Sequence, residues 1–144
     1  MRDRSITLFN YHEKSATWYP TVITGVSATD ICGSSFSTQG TVNASTFEAT
    51  VYCDPGAVVK TESGRKQYIS PHFYASCQKP DRYVTFAPDT DFIFDGVWPE
   101  QAPIPDAQYE DGLYNALNAS HDGIYKITSA GYYALIPHFE LGGK

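Results

Sequence analysis

Short stretches in which apolar and polar residues alternate run through most of the chain, and this alternation is typical of β-strands with one buried face. The clearest case is Thr46–Cys53, in which every second side chain from Phe47 onward is apolar or a cysteine. Similar runs predict further strands over Ser5–Asn10, Trp18–Val26, Arg82–Phe86, Asp91–Asp95 and two segments within Gly123–Lys144. The pattern therefore predicts about seven strands.

Turn residues predict how these strands connect. The first two runs are expected to pair as a hairpin, and Ala87–Thr90 is expected to join the two strands that flank it as a second hairpin. The closing pair is expected to bend near Ser129–Gly131. In its last strand, alternation predicts that Leu135, Phe139 and Leu141 face the core.

One short helix is predicted in the second half of the chain. Asp106 is a suitable N-cap for a helix over Ala107–Asn118, and Leu113 and Leu117 lie four residues apart, as on one helical face. Gly112 weakens this helix, because a glycine costs about 1 kcal/mol relative to alanine in a helix interior. A single helical turn is also predicted after the Ser-Pro pair at 70–71.

Long connections are predicted at 27–45, 54–67 and 97–122, together with a basic turn at Gly64–Gln67. The 27–45 stretch is rich in Ser, Thr, Gly, Asp and Asn, and two interpretations stay open, a functional loop or a disordered connector. The expected architecture is a single mainly-β domain over 1–144, a small β-barrel or sandwich with long loops.

Composition and charge narrow the possible functions. The formal net charge of −6 argues against a protein that grips nucleic acid, whose affinity comes largely from basic side chains on phosphates. The three cysteines are far apart in sequence, which does not favour a zinc site. No signal peptide or membrane-spanning run is evident, so synthesis in a cytoplasm is expected.

Candidate chemistry is sparse. Asp89, Asp91 and Asp95 suggest a calcium loop, but Ile93 and Phe94 stand where an EF-hand places its third oxygen ligand and its glycine. Alternation predicts that Asp91 and Asp95 share a solvated face. The four histidines are scattered, and no nucleophile, phosphate-binding or zinc-protease motif occurs. We therefore predict no catalytic, metal-binding or cofactor-binding residues and no enzymatic activity.

The order of motifs resembles a family of small neck proteins of tailed phages that infect Gram-positive hosts, often labelled minor capsid or head–tail connector proteins. The likeness is carried by Ile6–Asn10, Trp18–Val26, Ala49–Tyr52, Lys66–Pro71 ahead of Tyr74, Asp91–Gly96 followed by Glu100, and Pro137–Lys144. It spans nearly the whole chain, and its motifs are short and carry no catalytic residue.

This resemblance implies a head-completion, or stopper, subunit in the virion neck. Such a subunit would form a six-fold ring that continues the DNA channel and retains packaged DNA without binding it specifically. Its partners would be further copies of itself, the portal or adaptor ring on the head side, and a tail-completion or tail-tube protein on the tail side. No cofactor and no membrane partner are implied.

Candidate interface residues are Trp98, His138, Tyr74 and His72, and candidates for a channel or neighbour contact are Asp30, Phe36 and Gln39. For Trp98 two interpretations stay open, an anchor for a partner or a side chain folded back over the barrel's end. Two other functions also stay open. One is a tail-terminator or tail-tube subunit, and the other is a monomeric glycan-binding β-domain with Trp18, Trp98 and several tyrosines as a sugar platform.

Overall fold

A computed structural model describes residues 3–37 and 40–144, and the side chains outside 30–45. Within this part the strands are β1 (Arg4–His12), β2 (Thr17–Ser37), β3 (Gly40–Asp54), β4 (Val58–Thr61), β5 (Gly64–Tyr68), β6 (Tyr83–Val84), β7 (Phe92–Phe94), β8 (Ile104–Pro105), β9 (Ile124–Tyr133) and β10 (His138–Gly143). The α-helices are α1 (Pro71–Tyr74) and α2 (Leu113–Ser120), and single 3-10 turns lie at Glu13–Ser15, Pro80–Arg82 and Asp106–Gln108. No helix in the described ranges is long and apolar enough to cross a membrane.

Seven of these strands close into an antiparallel barrel in the order β4-β3-β10-β9-β7-β1-β2. Closure occurs where β2 returns to β4, with Ile23 opposite Thr61. The predicted hairpin of the first two strands is confirmed by the β1–β2 register, which runs from Arg4 opposite Val26 to His12 opposite Thr17. The small β-barrel with one short helix, α2, is thus confirmed.

The predicted loop at 27–45 is wrong, because β2 and β3 continue through it as a long hairpin. Their ladder runs from Val26 opposite Val51 to Ser37 opposite Gly40. Beyond Phe47, which pairs with Gly143 of β10, β3 is flanked only by β2 among the described strands. We call residues 31–37 and 40–46 the arm. A two-stranded ribbon outside the barrel needs no continuous apolar face, so the sequence lacked the alternation by which strands are recognised.

Three shorter predictions are also corrected. Ala87–Thr90 does not join a hairpin, because β6 pairs in parallel with β5 whereas β7 lies between β1 and β9. The predicted basic turn at Gly64–Gln67 is strand β5, which pairs with β4. The bend of the closing pair is at 134–137, whereas Ser129–Gly131 lies within β9. In each case the outcome depends on which strands pair, and turn residues alone do not determine that pairing.

Two apolar clusters form on the two sides of the barrel wall. Ile6 and Leu8 of β1 belong to the larger cluster inside the barrel, together with Phe139 and Leu141. Phe9, the next residue of β1, points outward and stacks on Phe92 with ring centroids 4.6 Å apart. This outer cluster is covered by α2.

Asp106 fixes where α2 begins, although not in the way predicted. Its Oδ1 accepts hydrogen bonds from Leu113 N at 2.9 Å and from Trp18 Nε1 at 2.8 Å. The carboxylate therefore caps the helix from outside the helix, across a turn that ends at Gly112, whose φ is 83°. The helix begins at Leu113 rather than at Ala107, because that positive φ, which glycine adopts readily, interrupts it.

Candidate functional site

The turn between β9 and β10 exposes large apolar side chains. We call Tyr132, Tyr133, Leu135 and Ile136 the apolar tip; Leu135 is 98% exposed and Ile136 67%. The prediction that Leu135 faces the core is wrong, because the bend lies at 134–137, later than the expected 129–131, and places Leu135 in the turn. Phe139 and Leu141 are buried as predicted.

The base of the apolar tip is held by hydrogen bonds and ring stacking. His138 stacks on Tyr133 with centroids 5.0 Å apart, and its Nδ1–H donates to the carbonyl of Ile136. Glu140 lies 3.7 Å from His138 Nε2, and its hydrogen bond to the Tyr133 hydroxyl raises the pKa of that phenol. The backbone of Pro137 is tied to β3, since its carbonyl accepts from Cys53 N at 3.1 Å. His138, predicted to lie at an interface, therefore sits at the base of the tip, half-buried.

Trp98 lies at an apolar depression on the barrel's other end. We call the depression lined by Val97, Trp98, Tyr109, Leu117 and His121 the aromatic groove; its volume is about 530 Å³. The Trp98 ring meets Phe9 edge-on at 5.5 Å and His121 at 5.2 Å. Trp98 packs back on the outer cluster and also lines the groove, and its role as an anchor for a partner stays a prediction.

Strand direction places the apolar tip and the aromatic groove at opposite ends of β9. The groove lies where β9 begins, because His121 precedes Ile124 and Ile124 pairs with Phe94, which also lines the groove. The apolar tip lies at the other end, where β9 ends at Tyr133 and the turn begins. The 10 residues of β9 separate the two surfaces by about 30 Å at roughly 3.3 Å per residue.

The arm leaves the barrel at the end opposite to the apolar tip. β3 runs from the arm toward Tyr52, and Tyr52 pairs with His138 at the base of the tip. Asp30 and Phe36 belong to the backbone of β2, but their side chains lie outside the described part of the structure, and Gln39 lies outside the described residues altogether.

The remaining two predicted interface residues have different positions. His72 is exposed on α1, beside Phe73, which is 67% exposed. Tyr74 is 1% exposed, and its hydroxyl donates to the carbonyl of Pro80 at 3.4 Å. Tyr74 is therefore a core residue of this fold and not a surface contact. The sequence did contain a signal for this burial. Tyr74 lies on a one-turn helix, and such a helix packs one of its sides against the rest of the protein.

Asp91 forms a buried polar cluster with Asn10, and this corrects the prediction of a solvated Asp91. Its Oδ1 accepts from Tyr11 N at 3.0 Å, and its Oδ2 accepts from Asn10 Nδ2 at 2.8 Å and from Ala87 N at 3.1 Å. Asn10 Nδ2 also donates to the carbonyl of Thr85 at 2.6 Å. Burial raises the pKa of the Asp91 carboxyl to about 7, although the three N–H donors act in the opposite direction.

The Asp91 cluster joins three segments rather than offering a reactive group to solvent. Asp91 and Asn10 are both fully buried. Their hydrogen bonds link β1 to Thr85, which directly follows β6, and to the turn before β7. Asp95 instead forms an ion pair with Arg4. Among the side chains that the structure describes, those of residues 3–29 and 46–144, no group of three or more His, Cys, Asp or Glu is arranged to hold a metal ion.

A family model described as a family of unknown function (DUF6751) matches residues 1–144. No curated protein matches the chain, and no solved structure does.

Proposed function

The chain belongs to this family of unknown function, and we propose that it is a structural subunit of a tailed-phage neck, of the head-completion or stopper type. In this role it forms a ring, six-fold in our proposal, beneath the portal or adaptor. The ring continues the DNA channel, retains the packaged genome and gives the tail-completion or tail-tube protein a surface to dock on. The subunit is made in the host cytoplasm and resides in the virion. The proposal assigns it no reaction, metal or cofactor.

The observation that carries this proposal is a small closed barrel with different projections at its two ends. The arm leaves one end, and the apolar tip lies at the other. A subunit in a ring contacts its two neighbours through two different surfaces, because the packing is heterologous. A subunit in the middle of a neck also needs contacts both above and below. The distribution of projecting elements on this barrel suits both requirements.

Charge supports the same role. With a net charge of −6, a ring of these subunits presents an overall negative potential to DNA. Phosphates would be repelled at distances within about one Debye length, roughly 8 Å at physiological ionic strength. DNA would therefore be held in by physical obstruction and not by adhesion, and it could leave when the obstruction opens.

Two other candidates are weighed by the same geometry. A tail-terminator or tail-tube subunit would also be a β-rich ring protein, and it differs by its place in the virion. A glycan-binding domain is less well supported, because Trp18 is only 6% exposed and its Nε1 is bonded to Asp106. A sugar platform would have to rest on Trp98 in the aromatic groove and on exposed tyrosines such as Tyr133, which lie at opposite ends of the barrel.

The test is reconstitution with a purified portal and adaptor from the same phage. We expect the protein to add a ring to the tail-facing side of that complex, visible by negative-stain electron microscopy and by an increase in particle mass. Binding to an isolated tail tube in preference to the portal complex would instead identify a tail-terminator or tail-tube subunit. A protein that ignores the portal complex and is retained on a polysaccharide column would disprove the neck assignment.

A further inference from the structure

The apolar tip is not explained by the folding of a single chain. Leu135 is 98% exposed and Ile136 67%, and two half-exposed tyrosines stand beside them. Scattered exposed apolar residues are ordinary, but here four of them are concentrated within residues 132–136 of one hairpin. The stacking of His138 on Tyr133 and the bond from Cys53 N to Pro137 fix the shape of that patch. A preorganised apolar projection of this kind is suited to insertion into a partner.

The aromatic groove has the complementary shape and chemistry. Val97 is 54% exposed and Tyr109 37%, and with Trp98 they line a mainly apolar concavity of about 530 Å³. Its base is firm, since Trp98 packs on Phe9 and Phe94 at 5.5 Å each. The groove therefore offers a rigid site for branched aliphatic side chains such as those of Leu135 and Ile136.

The two surfaces cannot meet within one chain. They lie at opposite ends of the barrel, joined by the 10 residues of β9, a separation of about 30 Å. A strand inside a closed barrel cannot fold back on itself, because it is hydrogen-bonded on both sides, to β7 and to β10. A tip that fits the groove must therefore come from a second copy.

From these observations we propose that copies of this chain associate head to tail, with the apolar tip of one copy seated in the aromatic groove of the next. This inference deepens the proposed function, on which it rests, because it names the two surfaces through which the ring would assemble. Each copy then uses its tip on one side and its groove on the other. Repetition of such a heterologous contact gives a ring if the rotation closes and a filament if it does not.

The available area decides what else the contact needs. The exposed parts of the four tip residues amount to roughly 400 Å², at about 150–250 Å² for a whole aromatic side chain and less for an aliphatic one. A stable interface buries about 800 Å² on each partner. The tip is therefore the anchoring centre of the interface, and surrounding polar surface must supply the rest. Such anchors carry most of the affinity.

The experiment uses two charge substitutions in the full-length protein, Leu135→Asp in the tip and Val97→Asp in the groove. Both side chains are at least half exposed, so each variant should fold as the wild type does, which circular dichroism and urea unfolding would verify. We expect the wild type to associate, by sedimentation velocity at concentrations up to about 1 mM. Each variant alone should associate at least about 30-fold more weakly, the change expected when an anchoring residue is lost.

An equal mixture of the two variants gives the sharpest result. Leu135→Asp retains an intact groove and Val97→Asp an intact tip, so one productive contact remains possible between them. The mixture should therefore form a dimer of twice the 15.9 kDa chain mass and nothing larger. A mixture that stays monomeric would show that tip and groove do not bind each other. That result would overturn the proposal, and so would self-association of Val97→Asp alone, which a tip-to-tip contact predicts.

Phe73→Asp is the matched control, because Phe73 is 67% exposed, as Ile136 is, and belongs to neither surface. It should associate as the wild type does, and an equal loss of association would overturn the assignment to tip and groove. A wild type that is monomeric at every concentration would also overturn it. Rings that still form on the portal complex with Leu135→Asp would overturn this inference and leave the proposed neck function intact, whereas failure of wild-type protein to bind that complex would remove the neck function itself.

Discussion

Asp91 and Leu135 are opposite exceptions to the usual distribution of side chains in a folded protein. Asp91 is a carboxylic acid that is 0% exposed, whereas Leu135 is a branched aliphatic residue that is 98% exposed. Acidic residues are seldom fully buried unless they are paired, and large apolar patches are seldom left in solvent. Both exceptions therefore call for a reason, and the reasons differ.

The difference lies in the partners that each side chain has within its own chain. Both oxygens of Asp91 accept hydrogen bonds from neighbouring N–H groups, so its burial is compensated inside the fold. The side chain of Leu135 projects from a turn whose backbone is held, and its exposure is not compensated within one chain. A buried polar cluster of this kind specifies the fold, whereas an exposed apolar tip points to assembly.

Asp91→Ala should have the largest effect of the changes that test this comparison. It would leave the N–H groups of Tyr11 and Ala87 and the amide of Asn10 buried with a lost acceptor. Each such unsatisfied group costs about 1–3 kcal/mol, so we expect a loss of at least about 3 kcal/mol in the free energy of unfolding. Urea unfolding followed by tryptophan fluorescence would measure it.

Asp95→Ala is the control for that substitution, because Asp95 lies on the same segment but forms a half-exposed ion pair with Arg4. Removal of such a pair should cost no more than about 1 kcal/mol. Equal losses for the two variants would show that the buried cluster has no special structural role.

The pH dependence of stability should show a smaller effect of the same cluster. The pKa of Asp91 is about 7 in the folded chain against an ordinary value of 3.8, so the folded state binds this proton more tightly than the unfolded state. The contribution of protonated Asp91 to the free energy of unfolding is fully present below about pH 4. It is lost as the pH rises through 7, by at most about 1.4 kcal/mol per pH unit.

Asp91→Asn removes this titration while nearly keeping the shape of the side chain. It should lower stability overall, because its amide nitrogen would face a donor, but it should flatten the decline in stability between about pH 5 and pH 8. Urea midpoints measured across that range for both proteins would give the difference. Parallel pH profiles would mean that Asp91 does not titrate there.

Sequence reasoning found the parts of this fold whose signal is local. The alternation at Phe47–Val51 and the hairpin of β1 and β2 were predicted correctly, because one apolar face marks a strand. The arm and strand β5 were missed, because their polar residues carry no such mark and are strands only through pairing. Parallel pairing of β6 with β5 involves segments that no turn connects, so no local pattern could have shown it.

The candidate site was predictable only in part, for a related reason. The sequence predicted that the last strand closes the sheet. The bend before that strand was predicted near Gly131, because glycine is typical of turns, whereas the structure places it next to Pro137. That shift of register moved Leu135 from the core to the tip. Trp98 was identified from its own loop. Its partners in the groove lie in or directly after α2, and the farthest of them in sequence, His121, is 23 residues away. Surfaces assembled from separate segments depend on tertiary packing.

Leu135→Ala should have the smallest effect on the stability of the isolated chain. Because Leu135 is 98% exposed, its truncation removes almost no buried area, and the free energy of unfolding should change by less than about 0.5 kcal/mol. Phe139→Ala, on the same hairpin but 2% exposed, should cost about 3–5 kcal/mol. Both are measured at low protein concentration, since association would stabilise the folded state by mass action. As concentration rises, the unfolding midpoint of the wild type should increase and that of Leu135→Ala should not. If Leu135→Ala instead lowered the free energy of unfolding of the monomer by more than about 1 kcal/mol, the tip would be part of the fold, as Asp91 is. The exposure of Leu135 would then say nothing about assembly.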